Sequence, residues 1–162
     1  MKLHDTLRPT DFKQMIGQAH LLENQLLLDN LIKTESSVLL YGPPGVGKTT
    51  FAKIYAKKLS ANYHELSSIF TTTAQLKEIF AKAQEQSLLQ EKTVVFVDEI
   101  HRFNKNQQDL FLPVIESGDI ILIACTTENP SYSLNNALLS RCQTLQFKEL
   151  TEKDLQTLFF NI

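Results

Sequence analysis

Short apolar runs recur along the chain and are separated by stretches with helical spacing. A run of about 4–8 apolar residues bounded by turn residues is typical of a buried strand. The segment 62–66 is the weakest candidate, because only Tyr63 and Leu66 in it are apolar. The predicted strands, in chain order, are 37–42 (SVLLYG), 62–66 (NYHEL), 94–97 (VVFV), 119–125 (DIILIAC) and 143–147 (QTLQF).

Apolar residues at helical spacing fill the segments between these strands. Asn104, with Gln107 three residues later, is predicted to cap the helix over 105–116, and Gly118 to end it. Pro113 lies inside that helix and is expected to kink it or to hold its last turn apart. The predicted helices are 21–33, 48–59, one centred on 76–83, 105–116 and 135–142.

The last twelve residues, TEKDLQTLFFNI, predict one more helix that begins after a cap at Thr151. Four apolar residues of this segment share one helix face, and such a face needs a partner to cover it. We therefore expect the chain to be a truncated fragment of a longer protein. The four residues are Leu155, Leu158, Phe159 and Ile162.

Strands that alternate with helices predict βαβ units and an α/β fold, with helices on both faces of a parallel sheet. Ligands of such sheets bind at the carboxyl ends of the strands. Two segments that could bind a ligand or take part in catalysis lie at predicted strand ends. One is the glycine-rich segment after Tyr41, and the other is the acidic pair Asp98 and Glu99.

Composition narrows the class of protein only modestly. With 162 residues, 43% of them hydrophobic and 21% charged, the chain predicts one globular domain. No apolar run is long enough to span a bilayer, and the N-terminus carries no signal peptide pattern. Two distant cysteines favour a reducing cytosol, and the four histidines lack zinc-ligand spacing. The net charge of −2 argues mildly against strong nucleic-acid binding by this stretch alone.

The sequence GPPGVGKTT, residues 42–50, matches the phosphate-loop pattern G-x-x-x-x-G-K-[ST] between a strand and a helix. Its glycines let backbone N–H groups point at phosphates, and the helix adds its positive end. Lys48 is predicted to reach the outer phosphates, and Thr49 to offer a hydroxyl to Mg²⁺. An ordinary turn before a helix is the weaker alternative. The predicted nucleotide-binding residues here are Gly42, Pro43, Pro44, Gly45, Val46, Gly47, Lys48, Thr49 and Thr50.

The adjacent acids at the end of the strand 94–97 are predicted to act together with the phosphate loop. Asp98 is predicted to help Thr49 hold Mg²⁺, and Glu99 to polarise the water that attacks the γ-phosphate. Without the phosphate loop, a solvated acidic turn would be the better interpretation. The segment NKNQ, residues 104–107, lacks the aspartate of a guanine-reading motif, so ATP is favoured over GTP.

Two longer strings are more specific than the phosphate loop: DEIHRFNKNQQD, residues 98–109, and TTENPS, residues 126–131. With them, the chain resembles the MgsA/RarA family of AAA+ ATPases, the replication-associated recombination proteins, over about residues 7–155. The resemblance implies a P-loop NTPase of the AAA+ type, a three-layer αβα sandwich with a central parallel sheet of about five strands. It also implies an ATPase core at 1–149 and the start of a truncated helical lid at 150–162.

The resemblance assigns further roles position by position. Ile16 and Gly17 look like the segment beside the adenine base. Thr127 looks like the polar sensor residue near the γ-phosphate, with Asn129 as a weaker candidate. Arg141 looks like an arginine finger that acts on ATP bound to the adjacent subunit. No chemistry is assigned to His101 and Arg102, which fit ordinary surface residues.

Residues 67–77, SSIFTTTAQLK, depart from the family pattern. Thr72 stands where relatives carry glycine, Ala74 where they carry lysine and Lys77 where they carry arginine. In this superfamily the region faces DNA. Losing the lysine favours an ordinary capped helix over a DNA contact here.

The leading hypothesis is therefore an ATP- and Mg²⁺-dependent motor domain that acts on forked or single-stranded DNA ends at stalled replication forks. We expect a cytoplasmic, nucleoid-associated protein that forms a homo-oligomeric ring at full length and does not bind membranes. The fragment alone is expected to be monomeric and nearly inactive. The alternatives are a nucleotide-dependent scaffold with little turnover and a clamp-loader-like subunit.

Overall fold

The computed structural model describes residues 8–160, and its centre is a parallel β-sheet. The strands lie in the order β2-β3-β4-β1-β5, and each neighbouring pair is parallel. The predicted fold class is thus confirmed. The strands are β1 Val38–Tyr41, β2 Asn62–Ser67, β3 Thr93–Asp98, β4 Ile121–Thr126 and β5 Gln143–Gln146.

Helices pack on both faces of the sheet and give three layers. Two single 3₁₀ turns, Phe12–Gln14 and Ile100–Arg102, accompany them. The α-helices within residues 8–160 are α1 Ala19–Leu22, α2 Gln25–Thr34, α3 Lys48–Lys58, α4 Thr73–Leu88, α5 Lys105–Asp109, α6 Phe111–Glu116, α7 Pro130–Ser133, α8 Asn136–Ser140 and α9 Glu152–Phe160. None of the helices in this part of the chain is long and apolar enough to cross a membrane.

Alternation along the strands divides the apolar residues between two cores. Val94 and Phe96 of β3 face the core that contains Phe51 of α3. Val95 and Val97 face the opposite core, which α4 and α6 cover. The inner strands are buried on both faces, which is why β3 and β4 are continuous apolar runs. Strand β2 lies at the edge and is only partly buried, so its weak sequence signal has a physical cause.

Two predicted helices are each broken in the structure. The helix predicted over 105–116 is α5 followed by α6, with the break at Leu110. Pro113 has no N–H to donate to Asp109, and its ring would clash with that carbonyl, so of the two expected effects the last part of the helix is held apart. Asn104 and Gln107 form the predicted capping box.

The single helix predicted over 21–33 is α1 followed by α2. The side chain of Asn24 accepts a hydrogen bond from the backbone N–H of Leu27 and so starts a new helix. The predicted strand 119–125 begins two residues later, at Ile121, because Gly118 and Asp119 still belong to the turn after α6.

The closing helix α9 begins where it was predicted. The Thr151 hydroxyl accepts from the N–H of Asp154, and Asp154 accepts from the N–H of Thr151. These hydrogen bonds hold the pKa of the Asp154 carboxyl below its usual value. Leu155 and Phe159 are exposed, as the predicted open face requires. Ile162, the fourth residue assigned to that face, lies outside the described residues.

Candidate functional site

A cavity of about 400 Å³ lies at the carboxyl ends of the central strands. The loop between β1 and α3 forms one wall, and the end of β3 forms another. The phosphate-loop residues and the acidic pair therefore meet at one place, as the sequence predicts. The predicted site residues that line the cavity are Ile16, Pro44, Gly45, Val46, Gly47, Lys48, Thr49, Thr50, Asp98, Glu99 and Thr127.

The other predicted site residues do not line this cavity. Gly17 and Gly42 are close neighbours of lining residues, and Pro43 lies between Gly42 and the lining residue Pro44. Arg141 lies elsewhere, at the end of α8, where its Nε donates to Glu116 at 2.6 Å and its Nη1 donates to the carbonyl of Ala137 at 2.8 Å. This chain's Arg141 is thus not part of its own cavity.

The start of α3 determines the shape of the phosphate-loop wall. The helix begins at Lys48, directly after the loop, so its first N–H groups point toward the cavity. Gly42 is needed for close packing, because a Cβ at this position would come within 2.2 Å of the carbonyl oxygen of Phe147. The start of the loop therefore packs closely against the chain just after β5, and the loop then leads into α3.

Lys48 is almost completely buried, which is rare for a lysine without partners. Its Nζ donates to the carbonyl of Gly42 at 2.6 Å and to that of Thr126 at 3.4 Å. Because an ammonium group has three donors, one N–H stays available for a ligand. The lysine is thus a fixed positive charge inside a cavity that also contains two carboxylates.

The backbone after β3 positions the acidic pair. The Asp98 carboxylate accepts from the backbone N–H of Glu99 at 3.0 Å. Glu99 has a left-handed backbone, with φ of 53°, which is uncommon for a residue other than glycine. This bend turns the chain sharply after β3, so both carboxylates reach the cavity instead of alternating across the sheet.

Thr127 donates a hydrogen bond to Oε2 of Glu99 at 3.2 Å. The sensor residue suggested by the family resemblance thus contacts the acid predicted to activate water. Asn129, the weaker candidate, caps α7 by accepting from the N–H of Ser131 and does not line the cavity. Its side chain therefore has a local structural role.

His101 and Thr126 are part of the site, although the sequence reasoning gave them no role. The sequence left His101 open as an ordinary surface residue, but its side chain is only 11% exposed. Its Nδ1 lies 2.8 Å from the hydroxyl of Thr126, and its Nε2 lies 3.2 Å from Oε2 of Glu99. The string DEIH is apparent in the sequence, but the sequence alone does not show that the His101 ring points toward Thr126 and Glu99.

Gln18 is the third residue that the sequence reasoning missed. It is buried, and its amide donates to the carbonyls of Val46 at 3.3 Å and Lys148 at 2.7 Å. Its carbonyl accepts from the N–H of Lys148 at 2.7 Å. Gln18 therefore ties the segment that carries Ile16 both to the phosphate loop and to the chain beyond β5.

Apolar residues complete the cavity wall beside Ile16. They come from the start of the described chain, from the segment after β5 and from α9. An apolar wall of this kind suits one face of a nucleobase, while the polar end of the cavity suits phosphates. The additional apolar lining residues are Pro9, Met15, Leu150 and Leu158.

The cavity offers oxygen ligands of the kind that Mg²⁺ prefers. Magnesium takes oxygen ligands and is usually bound through one or two protein groups plus water and phosphate oxygens. Thr49 supplies a hydroxyl and Asp98 a carboxylate, and both line the same cavity. A cluster of three or more metal-binding side chains is not found among the described residues, so any metal here depends on its other ligands.

The segment 67–77 leads into an ordinary capped helix, the interpretation that its sequence favours. Thr72 and Gln75 form a capping box at the start of α4, so the Thr72 hydroxyl already accepts from a backbone N–H. Ser68 donates to the carbonyl of Asp98 at 2.9 Å, which fastens this segment to the acidic strand end. Ile69 and Phe70 between them are exposed.

Comparison with known proteins places the chain among nucleotide-dependent ATPases. Residues 38–150 match the model of the ATPase family associated with various cellular activities (AAA). The chain is 47% identical to ATPase WRNIP1 of Dictyostelium discoideum over 96% of its length, which is 18% of that protein. It is 43% identical to replication-associated recombination protein A of Haemophilus influenzae over 93% of its length, which is 34% of that protein.

Among solved structures, the chain is similar to the Thermotoga maritima RuvB Holliday junction branch migration motor. The TM-score is 0.79 and the identity is 32%, covering 96% of this chain and 53% of that one. The chain thus spans about a third of the bacterial recombination protein and about half of the motor.

Proposed function

The chain belongs to the AAA family of ATPases, in the branch of replication-associated recombination protein A, and from this premise we propose that it is the ATP-hydrolysing core of a replication-maintenance protein. The observation that carries the proposal is the cavity in which Lys48, Asp98 and Glu99 meet. A nucleotide-binding scaffold would need the lysine but would have no use for the second acid.

ATP binding is the first step. The N–H groups at the start of α3 and the Lys48 ammonium receive the β- and γ-phosphates. Thr49 and Asp98 hold the Mg²⁺ that neutralises charge on the phosphates when it is bound. The base lies along the apolar wall that includes Ile16, and Gln18 keeps that wall in register with the phosphate loop.

Hydrolysis is then assigned to Glu99. Its carboxylate accepts a proton from a water molecule as that water attacks the γ-phosphate, and the Thr127 hydroxyl holds the same carboxylate. General-base assistance of this kind typically contributes about 10²–10⁴ in rate. The two acids thus have separate roles, one toward the metal and one toward water.

Arg141 completes the site of a neighbouring subunit in this proposal. Its absence from the cavity of its own chain supports action in trans. An arginine finger supplied in trans contributes about 10³–10⁵ in rate, so an isolated subunit would turn over ATP very slowly. We therefore propose a homo-oligomeric ring at full length, and a chain of these 162 residues that is monomeric and nearly inactive.

The wider role concerns DNA. The relatives are named for replication-associated recombination, and the RuvB structure is described as a Holliday junction branch migration motor. We propose that the full-length protein acts on forked or single-stranded DNA ends at stalled replication forks, in the cytoplasm at the nucleoid. Residues 1–149 form the ATPase core, and residue 150 begins a helical lid whose first helix is α9.

The test is steady-state ATP hydrolysis by the full-length protein, measured against protein concentration with and without forked DNA. Glu99→Gln is expected to keep ATP affinity and to lose about 10²–10⁴ in turnover. Glu85→Gln, at an exposed position of α4, is the matched control and is expected to behave as wild type. Equal turnover by wild type and Glu99→Gln would refute the assignment, and a wild-type protein that binds ATP without hydrolysis would favour the scaffold.

A further inference from the structure

His101 is held between the last residue of β4 and the proposed catalytic acid. It follows Glu99 by two residues and lies on the 3₁₀ turn Ile100–Arg102. Its side chain is 11% exposed, and both ring nitrogens have close polar neighbours. A nearly buried ring with two polar contacts is fixed in orientation, unlike a solvated surface histidine.

The hydrogen bonds around the ring form a directed chain. The backbone N–H of Glu128 donates to the hydroxyl oxygen of Thr126 at 3.1 Å. The Thr126 O–H is then free to donate to Nδ1 of His101, 2.8 Å away. With Nδ1 as acceptor, the ring carries its proton on Nε2, which can then donate to Oε2 of Glu99, 3.2 Å away. Every donor in this chain has an acceptor.

Thr126 also connects this chain to the phosphate loop. Its carbonyl accepts from the N–H of Gly42 at 3.1 Å and from Nζ of Lys48 at 3.4 Å. The residue is completely buried, so its two oxygens are oriented by the sheet. The loop that receives phosphates and the acid that activates water are thus linked through one threonine and one histidine.

Among the described residues, the contacts of the Glu99 carboxylate are made by one of its oxygens. Both His101 Nε2 and Thr127 Oγ1 lie 3.2 Å from Oε2. Two donors on Oε2 fix the carboxylate and leave Oε1 available to accept from water. Glu128 also approaches Nε2, at 3.5 Å, but its side chain is 58% exposed and it is the weaker partner.

We propose that His101 is a positioning residue that holds the Glu99 carboxylate for ATP hydrolysis, with its ring oriented by Thr126. The inference rests on the proposed function and deepens it. His101 does not itself touch the reacting atoms. Its loss leaves Glu99 in the cavity but frees the carboxylate to rotate, and a misplacement of about 1 Å can cost about 10² in rate.

The experiment compares His101→Phe with His101→Gln in the full-length protein. Phenylalanine keeps a ring of similar size without polar atoms, whereas the glutamine amide places an N–H near the position of Nε2. His101→Phe is expected to lower kcat about 10- to 100-fold with an ATP Kd within about threefold of wild type. His101→Gln is expected to recover most of the loss. His20→Phe is the control, since that ring is exposed and lies within hydrogen-bond distance of the carbonyl of Gln146, away from Glu99.

The outcomes separate this inference from the function on which it rests. A wild-type protein without ATP turnover overturns the proposed function and the inference with it. Active wild type with His101→Phe within twofold of it overturns the inference alone. So does a His101→Gln variant that folds but is no better than His101→Phe, because the donor would then be irrelevant.

A measurement on the unmodified 162-residue chain covers the case in which His101→Phe does not fold. Nitrogen-15 NMR at mildly alkaline pH reports which ring nitrogen carries the proton, and the His101→Gln spectrum identifies the His101 signals among four histidines. The directed chain predicts the Nε2–H tautomer. A proton on Nδ1 would overturn the inference, because Nε2 could not then donate to Glu99.

Discussion

Gln18 offers the sharpest stability test of how the site is held together. Its buried side chain makes three hydrogen bonds, two as donor and one as acceptor, to residues 28 and 130 positions away. Gln18→Met keeps the length of the side chain and removes all three. At about 1 kcal/mol for each bond, the free energy of unfolding is expected to fall by about 3 kcal/mol.

A loss of that size is readily measured by thermal unfolding. For a domain of this length, 1 kcal/mol corresponds to about 2–4 °C in Tm, so the expected decrease is about 6–12 °C. The assay is circular dichroism of wild type, Gln18→Met and a control. Gln25→Met removes one exposed hydrogen bond, to Asp29 on the same helix, and is expected to change Tm by less than about 2 °C.

The same variant tests the link to the cavity. If Gln18 aligns the Ile16 segment with the phosphate loop, Gln18→Met should also weaken ATP binding, measured below the lowered Tm. A Tm decrease no larger than that of Gln25→Met would refute the reasoning, since it would mean that these buried hydrogen bonds contribute nothing net. A large decrease with unchanged ATP affinity would show that the tie is purely structural.

Three further predictions concern other parts of the molecule. In the full-length protein, Arg141→Ala should lower turnover about 10³-fold, and mixing it with Lys48→Ala should restore activity in part if the finger acts in trans; a mixture no more active than its components would contradict this. Gly42→Ala should lower the Tm of the chain more than Gly118→Ala, because the added Cβ meets the Phe147 carbonyl at 2.2 Å, whereas Gly118 has a left-handed backbone but its added Cβ meets no atom of residues 8–160 within 4 Å; equal losses would refute the close-packing argument. Burial raises the pKa of Cys142 to about 12 and raises that of Cys125 as well, so fewer thiolates form at a given pH; Cys125, which is fully buried, should be alkylated more slowly in the native chain than in urea, and equal rates would contradict the burial.

The fold and the main residues of the site could be predicted because their signals are local. Continuous apolar runs mark β3 and β4, since inner strands are buried on both faces. The phosphate loop follows a strand and precedes a helix, and the acids end another strand, so parallel pairing alone brings them to one edge. Topology thus turns two short motifs into one cavity.

The parts that were missed depend on contacts between distant residues or on side-chain direction. Gln18 has an unremarkable sequence context, and its partner Lys148 lies 130 positions away. Thr126 and Thr127 are adjacent, and only the sheet decides that Thr126 is buried while Thr127 faces the cavity. The exact place of the break before α6 could not be predicted, because Pro113 shows only that the helix is interrupted nearby; in the structure it lies in the first turn of α6, where its missing N–H costs no hydrogen bond within that helix.

The central claim is that the phosphate loop and the acidic pair act on one magnesium-bound ATP. Its most direct test is a crystal structure of the chain with Mg²⁺ and a non-hydrolysable ATP analogue. The account predicts the phosphates at the start of α3 with Lys48 on the outer ones, the metal between Thr49 and Asp98, and Glu99 facing the γ-phosphate. A nucleotide bound elsewhere, or one in this cavity with Glu99 directed away from the γ-phosphate, would contradict it.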